Sequence, residues 1–391
     1  MKVMDNEENK TICLIALDFP PQIGGISNYL SNLFSGFSPD KLKIICPPID
    51  GIESVEKPED IQVDRFWLPS NWEPYHKHLK FLAPFYLWTL LNQDQLGLIL
   101  CGQAHYSLMI PAWILNKLRG NPYVVFTYGL DLLHPQTKFY KRPFNALLKK
   151  ASIVISDSYA AEKIVRDLGI EKQRTVVIHP SIDIDNFKNS KKNLEVLQKF
   201  GLQDKKIILT VGRLIKRKGF DIVLRALPRI LEFVPNAHYV IVGDGPEKSN
   251  INKLIIDLDL FDHTTMAGYV KDDDLDAYYE ACDVFSMVCR EIHESGDIEG
   301  FGIVFLEASL HGKPVVGSFS GGIPEAVVDE ETGLLVQYEN PDDTGDAIIR
   351  ILTNEDFANH LGNTGRLRVK KDFSSKAAMM KLSNVINTLD I

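Results

Sequence analysis

Strand-like and helix-like segments alternate along this chain in two separate series, and that alternation constrains its fold more than any other feature. The first series has extended runs at 11–17, 42–45, 98–101, 123–127 and 153–156, most of them separated by helical stretches. The second restarts at 206–211 and continues as helix 219–233, strand 237–242, helix 249–258, a strand ending near 267, helix 273–281 and strand 284–287; 305–311 then reads as helical and 314–317 as extended. Strands alternating with helices imply parallel sheets covered on both faces, which bind ligands at the carboxyl ends of their strands. The polar stretch 185–204 separates the series. We therefore expect an α/β protein of two parallel-sheet domains, 1–188 and 205–371, joined by a linker at 189–204, with a final helix at 372–391. Both sets of strand ends are expected on a central cleft.

A length of 391 residues suits two such domains, each large enough to need neither disulfides nor a structural metal. With 45% apolar residues, 24% charged residues and a net charge of −9, the chain matches neither a disordered polymer nor a general nucleic-acid binder. Cys13, Cys46, Cys101, Cys282 and Cys289 form no Cys-x-x-Cys pair, which suits reduced thiols in the cytoplasm. The apolar run 12–17 is too short for a signal-peptide core, and the least charged stretch, 81–91, contains Pro84, so no membrane span is expected.

Charge is unevenly spread. Residues 75–150 carry nine Lys or Arg against Asp94 and Asp131, a local +7. Two stretches there, 76–91 and 138–150, mix bases with large apolar residues. In the second, Phe139, Tyr140, Phe144, Leu147 and Leu148 share a helical pattern with five cations, which reads either as an anionic-membrane contact or as an ordinary surface helix.

Three segments carry chemistry. In 297–316, Glu299 and Glu307 flank a Gly-Phe-Gly turn ahead of an apolar helix. Of the three Glu-x7-Glu pairs in the chain, this one alone encloses two glycines ahead of a helix, a setting that lets backbone amides approach an anion. In 211–220, Arg213, Lys216, Arg217 and Lys218 crowd the end of a strand, which suits a diphosphate. Pro20-Pro21-Gln22-Ile23-Gly24-Gly25 follows the first strand and precedes a helix, a setting for close backbone approach to a phosphate. Neither it nor Gly243-Asp244-Gly245 is a nicotinamide fingerprint. Asp272–Asp274 reads as a helix cap, His105 and His179 as structural, and no Cys/His set has zinc spacing.

Taken in order, these segments, with 312–316, Ser320-Gly321-Gly322-Ile323-Pro324-Glu325 and 332–336, resemble the retaining glycosyltransferases of family 4, which have the GT-B architecture of two Rossmann-like domains. The resemblance spans nearly the whole chain and is strongest over 206–336. It implies that Arg213 and Lys218 hold a donor diphosphate, Glu299 the donor sugar and Glu307 the nucleotide ribose. Amides of Phe301, Gly302 and Ile303 would approach the sugar and phosphate, with Gly24 and Gly25 facing the phosphate from the acceptor-binding first domain. Val270 would lie near the base, and the final helix would return to the first domain. Many relatives place a His beside the reacting sugar. Here the matching stretch is Tyr128-Gly129-Leu130-Asp131, and a neutral phenol can donate a hydrogen bond but is a poor base near pH 7. Asp131 stays a sugar or acceptor contact.

The stretch 290–307 looks most like enzymes that mannosylate phosphatidylinositol mannosides from GDP-mannose. The implied reaction is retaining, needs no metal or cofactor, and moves the sugar to a membrane-associated lipid or glycan, with the protein cytoplasmic or peripheral on the membrane's inner face. UDP-glucose or UDP-N-acetylglucosamine are alternative donors. A non-catalytic sugar-nucleotide binder and a sugar-nucleotide epimerase are the readings of other classes.

Overall fold

The computed structural model describes residues 11–22, 24–47, 63–65, 96–133, 138–184, 187, 193–292 and 297–389. Two units account for them: residues 1–180 with 375–391, and residues 181–374. The basic stretch 76–91 lies outside the described residues.

The first unit holds a seven-stranded parallel sheet. Its strands are β1 (Thr11–Ile15), β2 (Leu42–Cys46), β3 (Val63–Arg65), β4 (Leu96–Cys101), β5 (Tyr123–Thr127), β6 (Ile153–Ser156) and β7 (Thr175–Val177), ordered β3-β2-β1-β4-β5-β6-β7. Strand β4 is buried along its whole length, as a parallel sheet covered on both faces requires. One face is closed by the helix Gly25–Phe34 and by the C-terminal helix Ser375–Asn387, whose Ala378, Leu382 and Ile386 join Leu30, Leu33 and Phe34 in the core. The other is closed by the helices Tyr106–Arg119 and Lys138–Leu148. His105 caps the first of these, its ring nitrogen accepting from Ser107 N at 3.2 Å.

The second unit is a six-stranded parallel sheet of β8 (Lys206–Val211), β9 (Ala237–Val242), β10 (Thr264–Gly268), β11 (Val284–Ser286), β12 (Val315–Ser318) and β13 (Gly333–Val336), ordered β10-β9-β8-β11-β12-β13. The helices Phe220–Phe233 and Pro341–Thr353 contribute Leu227, Ile230, Ile348 and Ile351 to its main core.

The segment expected as a linker contains a helix, Asn193–Phe200, that belongs to the second unit. Val196, Leu197 and Phe200 lie against the core beside Tyr278, an apolar set that the flanking lysines conceal in the sequence. The chain passes between units at 180–181 and 374–375. Beside these points Ile182 N donates to Phe373 O at 2.9 Å.

Both sheets reverse strand order once, at β1/β4 and at β8/β11. Loops leaving the carboxyl ends of two such strands diverge to opposite sides and leave a crevice, the usual ligand position in open α/β sheets. The segment 16–24 follows β1, and the basic run 212–219 follows β8.

Candidate functional site

In the second unit the two loops at the reversal point are joined by charge. Lys216–Lys218 form a 3-10 turn after β8, and the 287–302 segment follows β11. Lys218 Nζ lies 2.8 Å from Glu299 Oε2, and the Arg217 guanidinium contacts the same oxygen while its Nε lies 2.8 Å from Asp297 Oδ1. Only 11–14% of the Lys218, Arg217 and Glu299 side chains is exposed, so these charges interact with little screening by water. Burial pushes the Glu299 carboxyl up, but Lys218 and Arg217 outweigh it and hold the group below its ordinary range. Cys289 Sγ lies 3.6 Å from Glu299 Oε2, and burial pushes that thiol up to about 12, so it stays protonated.

Backbone contacts fix this loop. Ile292 and Asp297 exchange backbone hydrogen bonds, and Asp297 pairs with Arg217. Arg290, with 5% of its side chain exposed, donates to Lys216 O at 2.9 Å and pairs with Asp221 at 2.8 Å, while its own N–H donates to Arg217 O. The end of β12 and the loop after it hold this segment: Ser318 Oγ donates to Cys289 O at 2.6 Å, and Gly322 N to Glu299 O at 3.0 Å. A side chain at Gly322 would overlap the Gly300 carbonyl, so only glycine permits this approach.

Gly302, at φ +86°, turns the chain into the helix Ile303–Leu310. Gly302 has no side chain to cap that N-terminus, and no other described side chain is seen to cap it, so its first amides favour an anion. Phe305, Leu306, Ala308, Ser309 and Leu310 are buried, leaving Ile303, Val304 and Glu307 half-buried on the remaining stripe. Glu307 is thus a single turn beyond Ile303 on the same face, closer to the helix start than its spacing from Glu299 suggests. At the other end Arg366 caps the carbonyls of Leu310 (2.9 Å) and His311 (2.6 Å).

Among the remaining expected residues of this unit, Arg213 lies two positions past β8, exposed and in no ion pair among the described residues. Val270, just past β10, packs against the core. Phe301 is buried with its ring 5.6 Å from Phe373. Lys218 and Glu299 therefore meet at the reversal point, and the chain runs on from Glu299 through Phe301 and Gly302 into the helix that carries Ile303 and Glu307. Arg217, Asp297 and Arg290 join the Lys218–Glu299 pair. Arg217 was legible as part of the basic run, whereas nothing in the sequence distinguishes Arg290 from a surface cation.

In the first unit, Gly24 and Gly25 stand at the start of the helix Gly25–Phe34, and a Cβ on either would meet nothing within 4 Å. Tyr128 is 8% exposed, and its phenol donates to Gly102 O at 2.8 Å, so its hydroxyl hydrogen is already used within the unit. Asp131 Oδ1 and Oδ2 accept from the backbone N–H of Tyr128 (2.9 Å) and Ala104 (3.0 Å), tying together the loops after β4 and β5. Burial pushes its carboxyl up to about 6 despite those bonds. Phe144 and Leu148 of the helix Lys138–Leu148 are buried in the core, so that part of its apolar side is turned inward; Lys141, Arg142, Lys149 and Lys150 are exposed.

The model of the glycosyl transferases group 1 matches residues 193–368, and that of glycosyltransferase family 4 matches residues 23–186. The chain is 37% identical over 208 residues to the GDP-mannose-dependent alpha-(1-6)-phosphatidylinositol monomannoside mannosyltransferase of Mycobacterium tuberculosis, covering 53% of this chain and 54% of that protein. The match thus spans about half the length of that relative. A GDP-mannose-dependent monoacylated alpha-(1-6)-phosphatidylinositol monomannoside mannosyltransferase of Corynebacterium glutamicum is 25% identical over 382 residues, 96% of this chain and 97% of the other. In architecture the chain is similar to Anabaena HepE, solved with UDP and glucose, with a TM-score of 0.80 at 20% identity over 97% of this chain and 100% of that one. Two parallel-sheet units, the two family matches and these likenesses agree: the chain has the GT-B fold and belongs to the family 4 glycosyltransferases.

Proposed function

We propose that this protein transfers a hexose from a nucleoside-diphosphate sugar to a membrane-associated lipid or glycan acceptor, with retention of anomeric configuration and without a metal ion. GDP-mannose is the donor we favour, on the names of the mycobacterial and corynebacterial relatives. One observation carries the reading: Lys218 and Arg217 converge on Glu299 beside the uncapped helix Ile303–Leu310, at the strand-order reversal of the second sheet. Nearly dry cations and free amides suit a diphosphate, and a carboxylate held ionised suits sugar hydroxyls.

In the proposed reaction the bond from the anomeric carbon to the diphosphate oxygen breaks on the face where the acceptor hydroxyl bonds. The acceptor proton passes to the departing phosphate oxygen. Lys218 and Arg213 stabilise the charge that develops on the diphosphate, with the first amides of the helix Ile303–Leu310 assisting. Glu299 orients the sugar, and Glu307 takes the ribose diol. A Tyr in the place of the relatives' His is compatible with this route, because no protein base takes the acceptor proton. Asp131 shapes the loops after β4 and β5 on the acceptor side.

No helix among the described residues is long and apolar enough to cross a membrane. The membrane contact we propose is therefore electrostatic, made by exposed Lys141, Arg142, Lys149 and Lys150, and should weaken with salt. Transfer assays across GDP-mannose, UDP-glucose and UDP-N-acetylglucosamine, with phosphatidylinositol mannosides and lipid extracts as acceptors, test the function. We expect turnover with GDP-mannose and an α-linked product. Donor binding without turnover on any acceptor would overturn the proposal, as would donor conversion that needs no acceptor.

A further inference from the structure

Glu307 does not stand alone on its helix. Its Oε2 accepts a hydrogen bond of 2.6 Å from the phenol of Tyr279, a residue of the helix Asp272–Ala281 with only 1% of its surface exposed. Burial, reinforced by the neighbouring Glu307 charge, pushes the phenol well above its ordinary range, so it remains a donor at any pH the fold tolerates. The ring is itself held: it stacks on His311 at 5.4 Å and packs against Phe285 at 5.9 Å. His311, which follows the helix of Glu307, bridges back to the helix of Tyr279. Its Nε2 lies 3.0 Å from Asp276 Oδ1 and its Nδ1 3.0 Å from Glu280 Oε1, and its ring meets that of Phe187 in a T-shaped contact at 4.8 Å. Phenol and carboxylate are thereby fixed relative to each other by two separate ties between the same pair of helices.

A glutamate on a helix surface normally samples several rotamers, and freezing them carries an entropic cost. A buried phenol holding one carboxylate oxygen removes that cost in advance and still leaves lone pairs for a ligand. Grasping a vicinal diol needs such a fixed carboxylate, because both hydroxyls must be met at once. A ligand with one hydroxyl gains far less from it.

We infer that Tyr279 is the positioning residue that holds Glu307 ready for the ribose 2′,3′-diol, and that this pair makes the chain select ribonucleotide donors over 2′-deoxyribonucleotide ones. The inference rests on the assignment of Glu307 to the ribose proposed above, and the experiment separates the two.

Calorimetric titrations with GDP and 2′-deoxy-GDP would be compared for the wild type, Tyr279→Phe and Glu307→Ala, with KM and kcat for GDP-mannose measured alongside. The wild type should prefer GDP by about tenfold or more, the scale of one hydrogen bond to a charged group. Glu307→Ala should lose that preference. Tyr279→Phe, which deletes one hydroxyl and keeps the stacked ring, should lose most of it, while its affinity for 2′-deoxy-GDP stays within about twofold and KM rises with kcat little changed. If Glu307→Ala loses the preference and Tyr279→Phe keeps it in full, the positioning role is overturned and the ribose assignment stands. If Glu307→Ala keeps it, both fall. Should Tyr279→Phe melt well below the wild type, Glu307→Gln, which still accepts from the phenol, replaces it: retained preference supports the pair, and a loss equal to that of Glu307→Ala contradicts it.

Discussion

Lys218 Nζ stands 2.8 Å from Glu299 Oε2, across the line where the second sheet reverses its strand order. With Arg217 on the same oxygen, two nearly buried cations share one carboxylate. Removing that carboxylate leaves Lys218 uncompensated and Arg217 with Asp297 alone, at a cost of about 3–5 kcal/mol. Glu299→Gln should therefore lower the urea unfolding midpoint, and inorganic pyrophosphate should restore part of the loss by supplying an anion. A Lys218→Met/Glu299→Gln pair should be less destabilised than the sum of its single changes. Strict additivity would show that the contact does not couple these residues in solution.

Arg290 acts one layer further out. It holds the carbonyl of Lys216 and the carboxylate of Asp221 at the start of the helix Phe220–Phe233. Arg290→Met should cost about 3 kcal/mol in unfolding and raise KM for the donor more than it lowers kcat, because the basic loop loses its anchor rather than its charges. An unchanged KM would place Arg290 outside donor binding.

Gly302 opens the helix Ile303–Leu310 in the left-handed region, and a Cβ there would come within 2.7 Å of the Phe305 ring. Gly302→Ala combines about 1–2 kcal/mol of backbone strain with displacement of that ring. The expected result is a loss of transfer activity larger than the loss of stability, since the first amides of the helix move with it. Full activity in a folded Gly302→Ala enzyme would argue against a role for those amides.

The β/α alternation, both parallel sheets and most strand positions were legible because buried parallel strands read as nearly continuous apolar runs such as 207–211 and 239–242. The grouping of Lys218 with Glu299 was legible only through the order of its motifs, since 81 positions separate the two residues. What stayed hidden depends on side chains meeting across elements. The helix Asn193–Phe200 was masked by polar flanks, the apolar residues Phe144 and Leu148 looked available to lipid until the core claimed them, and the tie from Tyr279 to Glu307 leaves no pattern in either segment.

Two buried groups give opposite pH dependences. His238 is 5% exposed, and burial, with Lys205 and His263 adding to it, brings its pKa down to about 4 from an ordinary 6.5. Its proton is taken up more readily by the unfolded chain, so the stability it contributes is lost as pH falls from about 6.5 to about 4, by no more than about 3 kcal/mol. The gap in urea midpoint between wild type and His238→Gln should change over that window in this sense. Asp131 is raised from 3.8 to about 6, so the folded state keeps its proton longer and is weakened as pH rises between those values. The gap between wild type and Asp131→Asn should therefore move the other way. A gap that does not vary with pH would contradict the burial assigned to either group.

Binding of GDP tests most directly whether the basic loop and the Glu299 loop form a diphosphate site. Calorimetric titration into the wild type and into Lys218→Ala should show binding that weakens at least tenfold in the variant, while the variant's unfolding midpoint stays high enough for it to be folded at the assay temperature. Equal affinity in the two proteins, or no binding to the wild type, would contradict the account.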